Sequence, residues 1–203
     1  MKLTRKSIVL FTGVIFLHAP ITANFNPHIL IDAKAQEMVQ VIRSNQDLYI
    51  LNPQEFKNKI NTIFEPMVDF RRVGASVMGK KYYLAATKDQ RMQFISVFKQ
   101  SLLDTYSSTL SQWGDQTIVT TFPENIIFTK AEDIHQNLIT SNNIYPITYK
   151  VRNNGNDDWL IINIIVNGVN LGLTFRNQFR ALAEEHDEDI DKIIYHWTSD
   201  VDL

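Results

Sequence analysis

The stretch GASVMGKKYY, residues 74–83, comes within one residue of the phosphate-binding loop of nucleotide-binding proteins. Gly74, Gly79 and Lys80 stand at the required positions of G-x-x-x-x-G-K-[ST]. Lys81 replaces the serine or threonine whose hydroxyl would bind Mg²⁺. The match therefore lacks one of the groups on which the chemistry of that loop depends.

The residues around this motif predict a helix instead of a loop. Their apolar side chains are spaced i, i+3, i+7 and i+8, which is one face of a helix: Phe70, Val73, Val77 and Met78. A phosphate loop follows a strand and opens a helix, so that backbone amides point at the anion. We therefore reject ATP binding. Gly74 instead predicts a close approach of a neighbouring element, and Gly79 predicts a helix end.

No other motif predicts catalysis. The histidines beyond residue 23 lie at no metal-ligand spacing: His28, His135, His186 and His196. The chain has no cysteine and no G-x-S-x-G motif, so the usual signs of a thiol or serine nucleophile are missing. The carboxylates around His186 are typical of a solvated helix face. We expect no metal site, no cofactor and no enzymatic activity.

The first 23 residues read as a secretory signal peptide. Lys2, Arg5 and Lys6 precede an apolar run at residues 8–17, and Ala23 offers a small residue for cleavage. Their removal takes away three basic and no acidic residues, which leaves 17 Lys plus Arg, 22 Asp plus Glu and a formal charge of −5. An acidic exported domain is a poor binder of nucleic acid, whose affinity comes largely from phosphate neutralisation.

The rest of the chain, residues 24–203, predicts a single α+β domain. Start signals at Asn26-Pro27, Asn52-Pro53 and Thr87 open helices, the last of them the longest in the chain. Segments rich in Ile, Val, Thr and Tyr predict antiparallel strands at residues 117–122, 125–130, 134–140, 145–151 and 159–166. Helix resumes from about Leu173, and the acidic segment EEHDEDIDKII predicts the start of a last, solvated helix.

The apolar content is high in both halves. In the last long strand, Ile162, Ile164 and Val166 alternate with a second set, Trp159, Ile161 and Ile165, which predicts two apolar faces. Asn163 interrupts this strand and predicts a buried hydrogen-bonding group. Ordinary core packing explains such a surplus, and so does a cavity for an apolar ligand.

Two blocks of the sequence resemble a known family. They are TKDQRMQFISVFKQSLLDTYSSTL, residues 87–110, and WLIINIIVNGVNLGLTFRNQF, residues 159–179. In this order behind a signal peptide, they are similar to the MlaC family, the toluene-tolerance or Ttg2 type of periplasmic phospholipid-binding protein. The resemblance runs from about residue 30 to residue 185. Asn163 and Asn167 stand where this family usually has aspartate, and Phe175 where it has tyrosine.

The resemblance implies helices on a mixed-order, mainly antiparallel sheet of four to five strands that encloses a deep apolar pocket. It implies a monomeric periplasmic carrier with phospholipid as cargo, which meets an inner-membrane ABC transporter with its lipid-binding ring and an outer-membrane lipoprotein–porin complex. Together with helix-face periodicity, it implies these tail-lining residues: Phe70, Val73, Val77, Met78, Phe94, Phe98, Leu102, Tyr106, Tyr149, Ile162, Ile164, Val169 and Phe175. The headgroup would stay in water near Arg176 or near Lys80 and Lys81.

Two other classes of function remain open at this stage. One is an exported enzyme of an open-cone α+β fold that acts on a small apolar substrate, which would need an acid–base pair inside the pocket. The other is an adaptor whose apolar groups are all core. A carrier differs from both because phospholipid should accompany it through purification.

Overall fold

The helical half begins at the predicted capping signals. The computed structural model describes residues 26–124, 127–155 and 158–198, so the predicted signal peptide lies outside the described residues. Helix α1 (Pro27–Ser44) is capped by the Asn26 Oδ1, which accepts from the His28 N–H at 2.9 Å. Three short elements follow: α2 (Gln46–Leu51), α3 (Pro53–Phe64) and a 3₁₀ turn (Glu65–Met67). Asn52 caps α3 as predicted.

The glycine motif lies in helix α4 (Phe70–Ala85), which packs on the long helix α5 (Lys88–Ser111). A Cβ at Gly74 would stand 2.8 Å from Cγ1 of Ile95 on α5, which confirms the predicted close approach. Gly79 has φ 71° and ψ 163°, and it interrupts α4. The predicted helix is therefore confirmed, with a break at its second glycine, and α5 starts at the predicted Thr87 capping box.

Five strands form one antiparallel sheet in the order β1-β2-β3-β4-β5. They are β1 (Thr117–Thr120), β2 (Ala131–Ile139), β3 (Ile144–Asn153), β4 (Trp159–Val166) and β5 (Val169–Asn170). The α+β class is confirmed, and the strand order is sequential instead of mixed. Helix α1 covers the outer edge of β1, because Gln36 Nε2 donates to the Ile118 carbonyl at 3.0 Å.

The strand predicted at residues 125–130 is wrong for its described part, residues 127–130, which are irregular. The Thr129 N–H donates to Oε1 of Glu132 at 2.6 Å instead of to a neighbouring strand, and only the Lys130 carbonyl at the end of the segment accepts from β3, from the Asn153 N–H at 2.9 Å. The composition of this segment is typical of a strand, but a side-chain acceptor three residues ahead competes with the ladder.

A β-bulge in β4 overturns the prediction of two alternating faces. Ile161 pairs with Val151, whereas Ile164 pairs with Tyr149, so the segment between them holds one extra residue. Tyr149 and Val151 share one face of β3, because side chains alternate along a strand. Ile161 and Ile164 therefore lie on the same face, and both join one apolar cluster.

Helix α6 (Leu171–Glu185) follows β5, and a tight turn leads to helix α7 (Ile190–Tyr195). The prediction that the acidic segment starts a last helix is confirmed, because α7 begins at Ile190, but the prediction that this helix is solvated is wrong. Glu184 and Glu185 end α6, and α7 begins only after Asp189, whose side chain caps it. Ile193 and Ile194 of α7 are fully buried, because they follow the spacing of an amphipathic helix.

The core divides into three apolar clusters. The helix cluster has twelve members: Phe70, Val77, Met78, Ala86, Phe94, Phe98, Phe175, Phe179, Ala183, Ile193, Ile194 and Trp197. The sheet cluster comprises Ile31, Ile134, Val151, Trp159 and Ile161, and the α1–α3 cluster comprises Ile42, Phe56, Ile60 and Leu103. Val68 packs against both the helix cluster and the sheet cluster. Among the described residues, no helix combines the length and apolarity needed to cross a bilayer.

Candidate functional site

The helix cluster is dense in aromatic rings, and Trp197 lies among them. The indole contacts Phe94 edge to face with a centroid separation of 5.1 Å. It also lies 5.8 Å from the Phe98 ring and 6.1 Å from the Phe179 ring, again between centroids. Phe175 completes the group at 6.3 Å. We call these four phenylalanines the Phe cage.

Most of the predicted tail-lining residues meet in or against the helix cluster. Six are members and two pack against it: Phe70, Val77, Met78, Phe94, Phe98 and Phe175, with Val73 and Leu102. Tyr149 and Ile164 pack against the sheet cluster. Tyr106, Ile162 and Val169 are partly buried and belong to neither group of members. The prediction thus selected two apolar surfaces, one from the helices and one from the sheet.

The predicted deep pocket stays a prediction, because the lining side chains pack against one another. A cleft of about 250 Å³ opens between α4 and α5 beside Phe70 and Ile95, with Lys99 at its rim. Lys99 donates to Glu65 at 2.6 Å and holds the pKa of that carboxyl below its usual range, with help from Asn61. The Lys99–Glu65 ion pair therefore lies at the mouth of the cleft. Phe70 of the helix cluster, and Ile95, which packs against that cluster, form its floor.

A smaller cavity of about 100 Å³ lies under the start of α1. Leu30, Met67 and Trp159 provide its apolar walls, and Lys34 and Asp158 its polar part. Trp159 is almost fully buried, yet its indole N–H has no hydrogen-bond partner in the described structure. A buried unpaired donor is costly, and this one lies beside space large enough for a water molecule.

Sequence reasoning missed the residues of α7, and Trp197 just after it, that complete the helix cluster. Ile190, Ile193, Ile194 and Trp197 follow the helical spacing i, i+3, i+4 and i+7, and this signal was available. The surrounding carboxylates obscured it, because a run of charge is typical of a solvated face. Phe179 was also missed, although it lies within the second block of family resemblance.

Two of the three basic residues expected near a headgroup, Arg176 and Lys81, have partners within the protein, and Lys80 is exposed. Arg176 Nε donates to the Ser76 carbonyl at 2.7 Å, which satisfies an oxygen near the break in α4 at Gly79. Lys81 forms an ion pair with Glu188, which raises the pKa of the Lys81 ammonium. Arg176 therefore stabilises the end of a helix segment, and its role at a headgroup stays a prediction.

Tyr149 supplies a pH-dependent test of the buried sheet face. Burial raises the pKa of its phenol to about 12, from 10.0. As pH rises, the phenol therefore ionises in the unfolded chain before it ionises in the folded protein. The free energy of unfolding is unaffected by this group below pH 10, and it falls as pH rises from 10 to about 12. We expect Tyr149→Phe to remove about 2 kcal/mol of the loss of stability between pH 9 and pH 11.5, measured by urea unfolding at the two pH values.

Tyr195→Phe is the matched control, because Tyr195 is 83% exposed. It should leave the alkaline slope of stability unchanged. An equal slope for wild type and Tyr149→Phe would contradict the burial of the phenol.

Asn163 is hydrogen-bonded as predicted, although it is only partly buried, and it fixes the start of α6. Its Oδ1 accepts from the Gly172 N–H at 3.0 Å, and its Nδ2 donates to Oδ1 of Asn170 at 3.0 Å. Asn170 in turn caps α6 through the Leu173 N–H. A Cβ at position 172 would stand 2.5 Å from the Asn163 Oδ1, so this approach requires glycine.

We expect Gly172→Ala to lower the free energy of unfolding by about 1–2 kcal/mol. The Asn163 amide must turn away from the new Cβ, which leaves the backbone N–H of residue 172 without its acceptor. In an Asn163→Ala background the same change should cost close to zero, since no amide remains to be displaced. Urea unfolding of the four proteins measures the coupling as a double-mutant cycle. Additive losses would show that the two residues do not constrain each other.

Comparison with known proteins gives one family. The family described as MlaC protein matches residues 32–199. The toluene tolerance protein ttg2D of Pseudomonas putida is 33% identical over 177 residues, which cover 86% of this chain and 81% of that protein. The intermembrane phospholipid transport system binding protein MlaC of Haemophilus influenzae is 23% identical over 152 residues, 73% of this chain and 71% of that protein.

The fold has a solved counterpart. A phospholipid-binding protein from Ralstonia solanacearum, whose structure was determined in complex with a phospholipid, superimposes with a TM-score of 0.76 at 19% identity. The match covers 84% of this chain and 94% of that one. It establishes the same arrangement of helices on an antiparallel sheet. With the family match spanning nearly all of the described residues, the chain belongs to the MlaC family.

Proposed function

We propose that this protein is a periplasmic phospholipid carrier without catalytic activity. It would shuttle lipid between an outer-membrane lipoprotein–porin complex and an inner-membrane ABC transporter with its lipid-binding ring, and so maintain the asymmetry of the outer membrane. Membership of the MlaC family is the observation that carries this proposal. A relative named for intermembrane phospholipid transport and a fold that holds a phospholipid in another protein support it.

The interior of the protein suits an acyl chain. Half of the residues in the helix cluster are aromatic, and the sheet cluster consists mainly of Ile and Val side chains. Val68 packs against both clusters and so connects them. A two-chain lipid has roughly thirty methylenes, each of which costs about 0.8 kcal/mol to expose to water. Free diffusion of such a lipid through an aqueous compartment is therefore negligible, and a carrier has to cover both chains.

Lipid binding is tested by native mass spectrometry of the mature protein from a periplasmic extract, with lipid identified after denaturation. We expect stoichiometric phospholipid. A folded protein that is empty, and that takes up no lipid from vesicles of phosphatidylethanolamine and phosphatidylglycerol, would overturn the proposed function. Lipid uptake without transfer to membranes that contain the inner-membrane complex would retain binding and reject the shuttle.

A further inference from the structure

The end of the described chain fills the centre of the predicted acyl-chain site. Trp197 is only 4% exposed and touches all four rings of the Phe cage. Three of those rings belong to predicted tail-lining residues, namely Phe94, Phe98 and Phe175. One of the side chains that cover these rings is thus supplied by the segment after α7.

The contacts that hold this segment outside the cage are polar and exposed. Glu188 pairs with Lys81 of α4, and Asp191 accepts from Nε2 of Gln90 at 3.0 Å. His186 and His196 stack face to face at 4.4 Å between centroids, which joins the end of α6 to the end of α7. Exposed pairs of this kind contribute little to stability, so they orient the segment but add little to the free energy needed to detach it.

The connection to α6 is strained. Asp187 and Glu188 both have positive φ, 54° and 60°, a conformation that residues with a Cβ rarely adopt. Helix α7 has only six residues, which is too short to be stable without tertiary packing. The position of the segment therefore depends on the burial of Ile193, Ile194 and Trp197 in the helix cluster.

The hydrogen bond between Trp197 and Ser101 is one that the interior can lose. Its indole Nε1 donates to the Ser101 Oγ at 3.1 Å. That hydroxyl itself donates to the Phe98 carbonyl at 2.9 Å, so it stays hydrogen-bonded when the indole leaves. The indole N–H finds water once it is exposed. Departure of Trp197 therefore leaves neither of these groups buried without a bond.

An acyl chain matches what Trp197 buries. A buried aromatic side chain removes about 150–250 Å² from water, the area of about five to eight methylenes. We propose that Ile190–Trp197 is an internal occupant of the acyl-chain site, and that an incoming acyl chain displaces Trp197 from the Phe cage. The segment closes the site when the protein is empty and leaves it when the protein is loaded. This inference rests on the proposed function, because it requires phospholipid as the ligand.

The test follows Trp197 in the intact chain. Protein labelled with 5-fluorotryptophan has three ¹⁹F resonances, from Trp113, Trp159 and Trp197, and Trp197→Phe assigns the third. Delipidated protein is mixed with vesicles of phosphatidylethanolamine and phosphatidylglycerol, and bound lipid is counted after extraction. We expect the Trp197 resonance to gain the H₂O/D₂O isotope shift of an exposed indole on loading, while the Trp113 resonance serves as the internal reference.

Stoichiometric lipid with an unmoved, protected Trp197 resonance would overturn the displacement and leave the proposed function intact. Absence of bound lipid would overturn both. The two failures are distinguished by the lipid count alone.

A second test restrains the segment. The chain has no cysteine, so Gln90→Cys with Asp191→Cys gives a unique pair that a short bis-thiosulfonate reagent can bridge and a reductant can release. We expect bridging to slow lipid uptake at least tenfold and reduction to restore it. A bridged Asp133→Cys, Lys150→Cys pair between β2 and β3 is the control and should not slow uptake. Equal uptake with α7 bridged or free would reject the displacement.

Discussion

Leu102→Arg should lower the phospholipid carried by the protein at least tenfold, and Ile164→Arg should do the same from the sheet side. Both side chains are partly buried, Leu102 against the helix cluster and Ile164 against the sheet cluster. A half-buried arginine can extend its guanidinium to water while the site is empty. An acyl chain laid over it would bury an unpaired charge, and a loss of about 1.4 kcal/mol already means tenfold weaker binding.

The measurement is the molar ratio of phospholipid to protein after purification, with a thermal melt to show that each variant folds. Leu84→Arg is the matched control, because Leu84 is 64% exposed on α4 and should keep the full ratio. A folded Leu102→Arg protein that carries as much lipid as the control would place the acyl chains elsewhere. If only one of the two variants lost lipid, the acyl chains would contact only the cluster that carries that residue, the helix cluster for Leu102 or the sheet cluster for Ile164.

Local signals in the sequence determine most of the fold. Asn26, Asn52 and Thr87 each cap a helix at the predicted residue, because one side-chain oxygen close in sequence satisfies a free amide. The helical interpretation of the region around Gly74 is confirmed for the same reason: its apolar spacing is a local property of the chain. These features needed no knowledge of distant neighbours.

The features that sequence reasoning missed depend on distant neighbours or on one extra residue. The bulge in β4 shifts Ile164 onto the face of Ile161, and regular alternation cannot reveal where a strand gains a residue. Likewise, α7 is surrounded by carboxylates in sequence but buries Ile193 and Ile194 against helices that begin about a hundred residues earlier.

The candidate site shows the same division. Periodicity identified which faces of α4 and α5 are apolar, and Phe94 and Phe98 lie in the cluster where those faces meet. It could not show that Trp197 fills the space between them, because that contact joins residues about a hundred positions apart. The sequence therefore predicts the walls of an apolar site, whereas the packing of Trp197 against those walls is a tertiary contact that the pattern cannot reveal.

Gly79→Ala should lower the free energy of unfolding by about 2–3 kcal/mol. Gly79 combines φ 71° with ψ 163°, a region of backbone space that only glycine populates readily. The nearest atom to a Cβ there is the Arg176 Nε at 3.9 Å, an ordinary contact, so the expected loss comes from the backbone and not from a clash. Urea unfolding at neutral pH measures it.

Gly79→Asn separates this cause from an ordinary helix end. Asparagine tolerates the left-handed conformation that ends many helices, but a ψ of 163° lies far from that region, so asparagine should be no better than alanine. Gly114→Ala is the control, because a Cβ there meets only the Gln116 Oε1 at 3.6 Å, and it should change stability by less than about 0.5 kcal/mol. A Gly79→Ala protein as stable as this control would contradict the prediction. It would mean that α4 relaxes into a continuous helix, in which the Ser76 carbonyl no longer needs the hydrogen bond from Arg176.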